Sequence, residues 1–195
     1  MLNTPVLKVK WLAALLCLCA QLAVAQEGAP ASEGQAGNGA LRTIPALDVP
    51  RYMGVWYEIA KFPNWFQRQC VGATRAAYSL KPDGSVQVIN RCRTQSGETT
   101  EAVGAARQVG PASSAQLEVR FAPAWLSFLP LVCGDYWVID LDERYQLVAV
   151  SEPKKAYLWI LARTPHVDPH DYQRLLERLS KMGFDLSKLE LTRQD

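Results

Sequence analysis

Between Val55 and Lys188 the chain is a succession of short runs rich in β-branched and aromatic residues, cut by turn signals, with one stretch of helical spacing near its end. That punctuation predicts an all-β domain with a single late helix. The runs lie near 54–62, 73–80, 86–93, 101–108, 115–121, 135–140, 145–150 and 157–163, and eight strands suit a sheet closed on itself. Lys81-Pro82-Asp83-Gly84, Leu141-Asp142-Glu143-Arg144 and Glu152-Pro153-Lys154-Lys155 carry tight-turn chemistry, so consecutive strands run antiparallel, up and down. In Leu117-Glu118-Val119-Arg120-Phe121 apolar side chains take one face and charges the other, so one face meets water. Asp168-Pro169 opens the helix; Tyr172, Leu175, Leu176, Leu179 and Met182 recur at helical steps, and Gly183 ends it. Its apolar stripe needs a surface to cover, most simply the outer wall of the barrel. Phe184, Leu186 and Leu189 suggest a short closing strand.

Lys8 and Lys10, the apolar stretch from Trp11 to Ala20 and the small-residue pattern Ala23-Val24-Ala25 identify residues 1–25 as a secretory signal peptide. The alternative, acylation at Cys17 or Cys19 after cleavage, wants a small residue before the cysteine, where Leu16 and Leu18 stand. Residues 26–43 are rich in Gly, Ala, Ser and Gln and cannot bury enough apolar surface to order themselves, so they read as a flexible leader to a domain at 44–195. Loss of Lys8 and Lys10 leaves basic and acidic residues equal in number. A neutral chain without a polybasic run lacks the footprint of a nucleic-acid binder. Export to the periplasm, with outer-membrane association as a variant, puts the remaining cysteines, Cys70, Cys92 and Cys133, where thiols pair.

Three segments carry a family resemblance. Tyr52-Met53-Gly54-Val55-Trp56-Tyr57-Glu58-Ile59-Ala60-Lys61 resembles the first lipocalin motif, a Gly-x-Trp at the start of the first strand. Asp135-Tyr136-Trp137-Val138-Ile139-Asp140-Leu141-Asp142 followed by Tyr145 is similar to the second, with Leu141 where the family has threonine. Leu158-Trp159-Ile160-Leu161-Ala162-Arg163-Thr164-Pro165 resembles the third, with its arginine. The likeness spans 44–192 and is nearest the bacterial outer-membrane lipocalins and their apolipoprotein D relatives. It implies an eight-stranded barrel with the helix packed outside, binding a fatty acid, lysophospholipid or similar lipid. It also implies that Arg163 lies across the indole of Trp56 and closes one end, so Gly54, Trp56 and Arg163 are structural.

Alternation along a barrel wall then assigns the inside. With Trp56 and Arg163 inward, Leu161, Trp159 and Tyr157 follow; hairpin registers and the family pattern add Ala76, Tyr78, Val88, Asn90, Leu117, Val119, Phe121 and Tyr136. Ala102, Gly104 and Ala106 share a face, so one wall is lined by almost nothing and leaves room; a register off by one would instead turn Val103, Ala105 and Arg107 inward. Tyr78, Asn90, Tyr136 and Tyr157 offer hydroxyl or amide contacts to a head group. Trp65 and Phe66, after the first strand, and Trp125 and Phe128, in the apolar stretch 122–132, are candidates for the mouth, the second stretch serving membrane contact, partner contact or a plug. With the turn at 81–84, residue 92 falls opposite about 74, which brings Cys70 within reach of Cys92 and leaves Cys133 free. A monomer and a homodimer both remain open. No cofactor and no metal are expected: His166 and His170 are the only histidines, and Pro169 stands between them. Glu58 and Asp140 read as acceptors of backbone hydrogen bonds near the barrel ends. No evident nucleophile supports an enzyme, although a lipid-modifying enzyme and an envelope interaction protein are the alternatives to a carrier.

Overall fold

A computed structural model describes residues 40–121 and 132–194. The expectations for residues 1–25, for most of the leader and for Trp125 and Phe128 lie outside these residues, as does the one for the Cys133 side chain.

A single helical turn, α1 (Val49–Tyr52), leads into the barrel; the side chain of Asp48 accepts a hydrogen bond from Arg51 N, and Pro50 sits in the first turn, where its missing N–H costs nothing. Then come β1 (Gly54–Lys61), β2 (Cys70–Leu80), β3 (Val86–Thr94), β4 (Thr99–Gln108), β5 (Gln116–Phe121), β6 (Val132–Leu141), β7 (Leu147–Ser151) and β8 (Leu158–Ala162), followed by α2 (Pro169–Lys181) and β9 (Glu190–Leu191). Successive strands from β2 to β8 pair antiparallel, and β1 pairs with both β8 and β2, so the sheet closes. A short closing strand, β9, adds itself to β1, but it lies beyond the residues that suggested one: Leu186 is in a 3₁₀ turn and Phe184 packs in the outer apolar layer.

The apolar side chains form two layers separated by the wall. Trp56, Val88, Leu117, Val119, Val148, Val150 and Leu161 pack inside. Ala60, Ile139, Ala149, Leu158 and Ile160 pack outside, under Leu175, Leu179 and Phe184. Hence β5, with one face in water, alternates, whereas every residue of β7 is buried because α2 covers its other side. Both carboxylate oxygens of Asp140 accept from Arg178, at 2.6 and 2.8 Å, and fasten the helix to β6. This corrects the expectation of a backbone partner for Asp140: the partner belongs to an element 38 residues away. Leu41, assigned by composition to the leader, is buried in the outer layer.

Cys70 and Cys92 form a disulfide with Cα atoms 5.5 Å apart. Register shifts in β2 on both sides of Gly72 absorb the slack in the extrapolated hairpin and set Cys70 opposite Thr94. Within the irregular stretch, Ala73 has a φ of 51° and donates its N–H to the carbonyl of Arg193 at 2.7 Å. The C-terminal tail therefore supplies the hydrogen bond that the strand pairing omits there.

Candidate functional site

One end of the barrel is sealed. The guanidinium carbon of Arg163 lies 4.0 Å from the ring centre of Trp56, which is fully buried. Arg163 also donates to the carbonyls of Tyr145, Val55 and Arg51. Gly54, at φ +100°, leaves space for that head group: a Cβ there would stand 3.2 Å from it. Leu47, Val49 and Tyr52 plug this end from the segment before β1, and Trp56 Nε1 donates to the Tyr52 carbonyl. Tyr136 Oη is 2.7 Å from Tyr52 Oη and 3.0 Å from Tyr78 Oη. Tyr78 and Tyr136, expected to face a head group, thus hydrogen-bond to each other and to a tyrosine that the sequence reading did not single out. Burial pushes the Tyr78 phenol up to about 12 and holds Tyr52 and Tyr136 well above their ordinary value. Beside the three rings a cavity of about 10 Å³ remains, lined otherwise by apolar side chains such as Met53, Val86, Leu117 and Val119.

Higher up, registers fix which side chains share the interior. Trp56 pairs with Ala76, Ala76 with Asn90 and Asn90 with Ala102; Tyr78 pairs with Val88 and Val88 with Gly104. Ala102, Gly104 and Ala106 therefore face inward, and Val103 and Arg107 lie on the water side. The space beside Gly104 is nonetheless occupied. A Cβ there would meet the carbonyl oxygen of Arg120 at 2.6 Å and the Phe121 ring at 2.7 Å, so this glycine admits the neighbouring strand and Phe121 rather than a ligand. The open position is Gly134, which pairs with inward Val119: a Cβ added there meets nothing within 4 Å among the described residues. Ala102 and Gly134 are both solvent-exposed although they face inward, and Asn90 and Phe121 are half-buried. Counting back two from Tyr136 along β6 would have found Gly134 in the sequence.

At the open end Trp159 stacks on Tyr157 with centroids 5.7 Å apart, and Phe66 tilts against both. Trp65 and Phe66 occupy a short 3₁₀ turn and are 62% and 45% exposed. Trp159 Nε1 donates to Gln67 Oε1, Gln67 Nε2 donates to Glu58 Oε2, and Thr192 Oγ1 donates to Glu58 Oε1. The buried Glu58 thus takes side-chain partners, not the backbone partner expected of it, because the tail folds back over β1. A polar cleft of about 500 Å³ opens between Arg68 and the β3–β4 hairpin, lined by residues such as Thr94, Ser96, Glu98 and Thr100. It offers no apolar wall for an acyl chain, so the barrel interior is the better candidate site. His166 and His170 are exposed near the start of α2, and the backbone N–H of His170 is capped by Asp168.

A closed up-and-down antiparallel barrel, plugged at one end by Trp56 and Arg163 and flanked by one helix, defines a class of β-barrel binding proteins. The match to the Lipocalin-like domain over residues 47–194 places the chain in that family: this protein is a lipocalin. Temperature-induced lipocalin-1 of Arabidopsis thaliana is 41% identical over 156 residues, covering 79% of this chain and 83% of the relative. Outer membrane lipoprotein Blc of Escherichia coli strain K12 is 39% identical over 143 residues, covering 73% and 76%. Among solved structures, insecticyanin from the tobacco hornworm Manduca sexta superimposes with a TM-score of 0.64 at 18% identity, covering 79% of this chain and 84% of that one. Lipocalins generally bind small hydrophobic ligands and act as carriers.

Proposed function

We propose that this protein carries a fatty acid, lysophospholipid or similar single-chain lipid across the aqueous part of a bacterial cell envelope. The observation that supports it most is the inward position at Gly134, where a Cβ would meet nothing within 4 Å among the described residues, above a packed floor and beside apolar walls. Ligand contacts are assigned to Val88, Asn90, Ala102, Leu117, Val119, Phe121, Tyr157 and Trp159, with Trp65, Phe66, Trp125 and Phe128 at the mouth and Tyr78 and Tyr136 at the floor. Each methylene removed from water contributes about 0.8 kcal/mol, so a chain of about twelve carbons gains at most roughly 10 kcal/mol before ordering costs. Transfer from a bilayer gains almost nothing, so the same pocket can take lipid from one membrane and release it to another without chemistry. Residues 1–25 direct export and are cleaved, leaving 26–43 as the leader to the domain. The exposed Trp65 and Phe66 fit transient membrane contact at the mouth, a role also assigned to the apolar stretch 122–132 from its sequence. A relative named as an outer membrane lipoprotein supports an envelope location.

Native mass spectrometry of protein purified gently from the exporting cell tests this reading, with a bound lipid as the expected result. Absence of any bound small molecule, together with no quenching of tryptophan emission by added fatty acids, overturns it.

A further inference from the structure

The floor of the barrel holds three phenol hydroxyls linked by two hydrogen bonds, Tyr52 to Tyr136 and Tyr136 to Tyr78. Each bond uses one proton, so one O–H is left over, whichever way the pair of bonds runs. If Tyr136 donates to either neighbour, that neighbour holds it; if both neighbours donate to Tyr136, Tyr136 holds it. Among the described residues these hydroxyls have no further acceptor. Tyr52 and Tyr78 are buried and Tyr136 is half-buried, and desolvation keeps the phenols protonated, so the donor persists where an unmade hydrogen bond is costly. The cavity beside them, about 10 Å³ with otherwise apolar lining, has room for a single oxygen. Tyr136 and Gly134 are successive inward positions of β6, so the donor lies one pleat repeat below a position with no neighbour within 4 Å among the described residues.

We infer that this floor is a polar subsite that selects one uncharged acceptor oxygen, a carbonyl or hydroxyl, at the buried end of the ligand. An ionised carboxylate is disfavoured there, because Arg163, the cation that acts on Tyr52 among the described residues, already gives its guanidinium to three backbone carbonyls and the Trp56 ring. A lipid with a free carboxylate therefore binds with that group toward the mouth. The subsite rests on the carrier reading and adds to it a preference for chains oxygenated at the far end over plain hydrocarbon.

The test uses 2-dodecanone and n-dodecane, each partitioned between headspace and a solution of the mature protein. The ratio of their affinities in the wild type is compared with that in the triple variant Tyr52→Phe, Tyr78→Phe, Tyr136→Phe. Dodecane binding should stay within about twofold, while the relative affinity of the ketone falls about tenfold, as loss of one neutral hydrogen bond implies. Infrared spectra of ¹³C-carbonyl 2-dodecanone on the wild type give a readout free of any variant: the bound band should sit where it does in an alcohol, not where it does in hexane. An unchanged ratio in the triple variant, or a hexane-like band, overturns the subsite and leaves the carrier reading intact, including the case in which a water permanently satisfies the donor. Failure of both compounds to bind the wild type overturns both.

Discussion

The two ends of the barrel are built from the same strands and do opposite things. At the closed end β1 and β8 bring together Trp56 and Arg163, the segment before β1 adds Tyr52, Leu47 and Val49, and almost no space is left. At the open end the same two strands carry Glu58 and Trp159, whose partners come from the turn after β1 and from the C-terminal tail, and inward Gly134 has no neighbour within 4 Å among the described residues. The difference shows how one set of strands can concentrate packing at one end and relax it at the other.

Replacement Trp56→Ala should break the closed end, costing about 3 to 5 kcal/mol in urea denaturation. Trp65→Ala at the open end should cost less than about 0.5 kcal/mol in the same experiment, since its side chain is largely in water. Equal effects would mean that the two ends are not energetically distinct. Removing the disulfide with Cys70→Ser and Cys92→Ser should cost about 2 to 4 kcal/mol in thermal unfolding, because the bridge closes a loop spanning a sequence separation of 22.

The floor tyrosines give the closed end a pH signature. Tyr78 binds its proton more tightly folded, at about 12, than unfolded, at the ordinary 10.0, so the folded state holds more protons between those values. Stability is therefore complete below about pH 10 and falls as pH rises toward about 12, by about 2 kcal/mol from this residue. Denaturation midpoints measured along an alkaline series should show that fall, and Tyr78→Phe should make it shallower, with Tyr52 and Tyr136 supplying the remainder. Finally, Gly134→Leu should fill the open end. Added to a vacant position of ordinary backbone conformation, it should weaken lipid binding about tenfold by titration while shifting stability by less than about 1 kcal/mol. A loss of stability without loss of binding would place the ligand elsewhere.

Much of this arrangement could be read along the chain. The turns at 81–84, 141–144 and 152–155 set the hairpins, and counting by twos from Trp56 and Arg163 placed Ala76, Val88 and Leu161 on the inner face. The same counting put Ala102 and Gly104 inside, yet it could not reveal that the Phe121 ring occupies the space at Gly104 while Gly134 stays open. Nor could composition reveal that Leu41 packs outside the wall or that Tyr52 joins Tyr78 and Tyr136, since neither lies in a periodic segment.

Period, turn chemistry and the three motifs determine strand order and the face each side chain takes, because these are local consequences of a pleated backbone. Which inward positions are filled, and by what, was decided only when distant segments met: the plug before β1, the tail over Glu58 and the helix at Asp140 fill gaps that no single strand can anticipate. Volume is shared among neighbours in space, and a linear pattern carries no record of those neighbours.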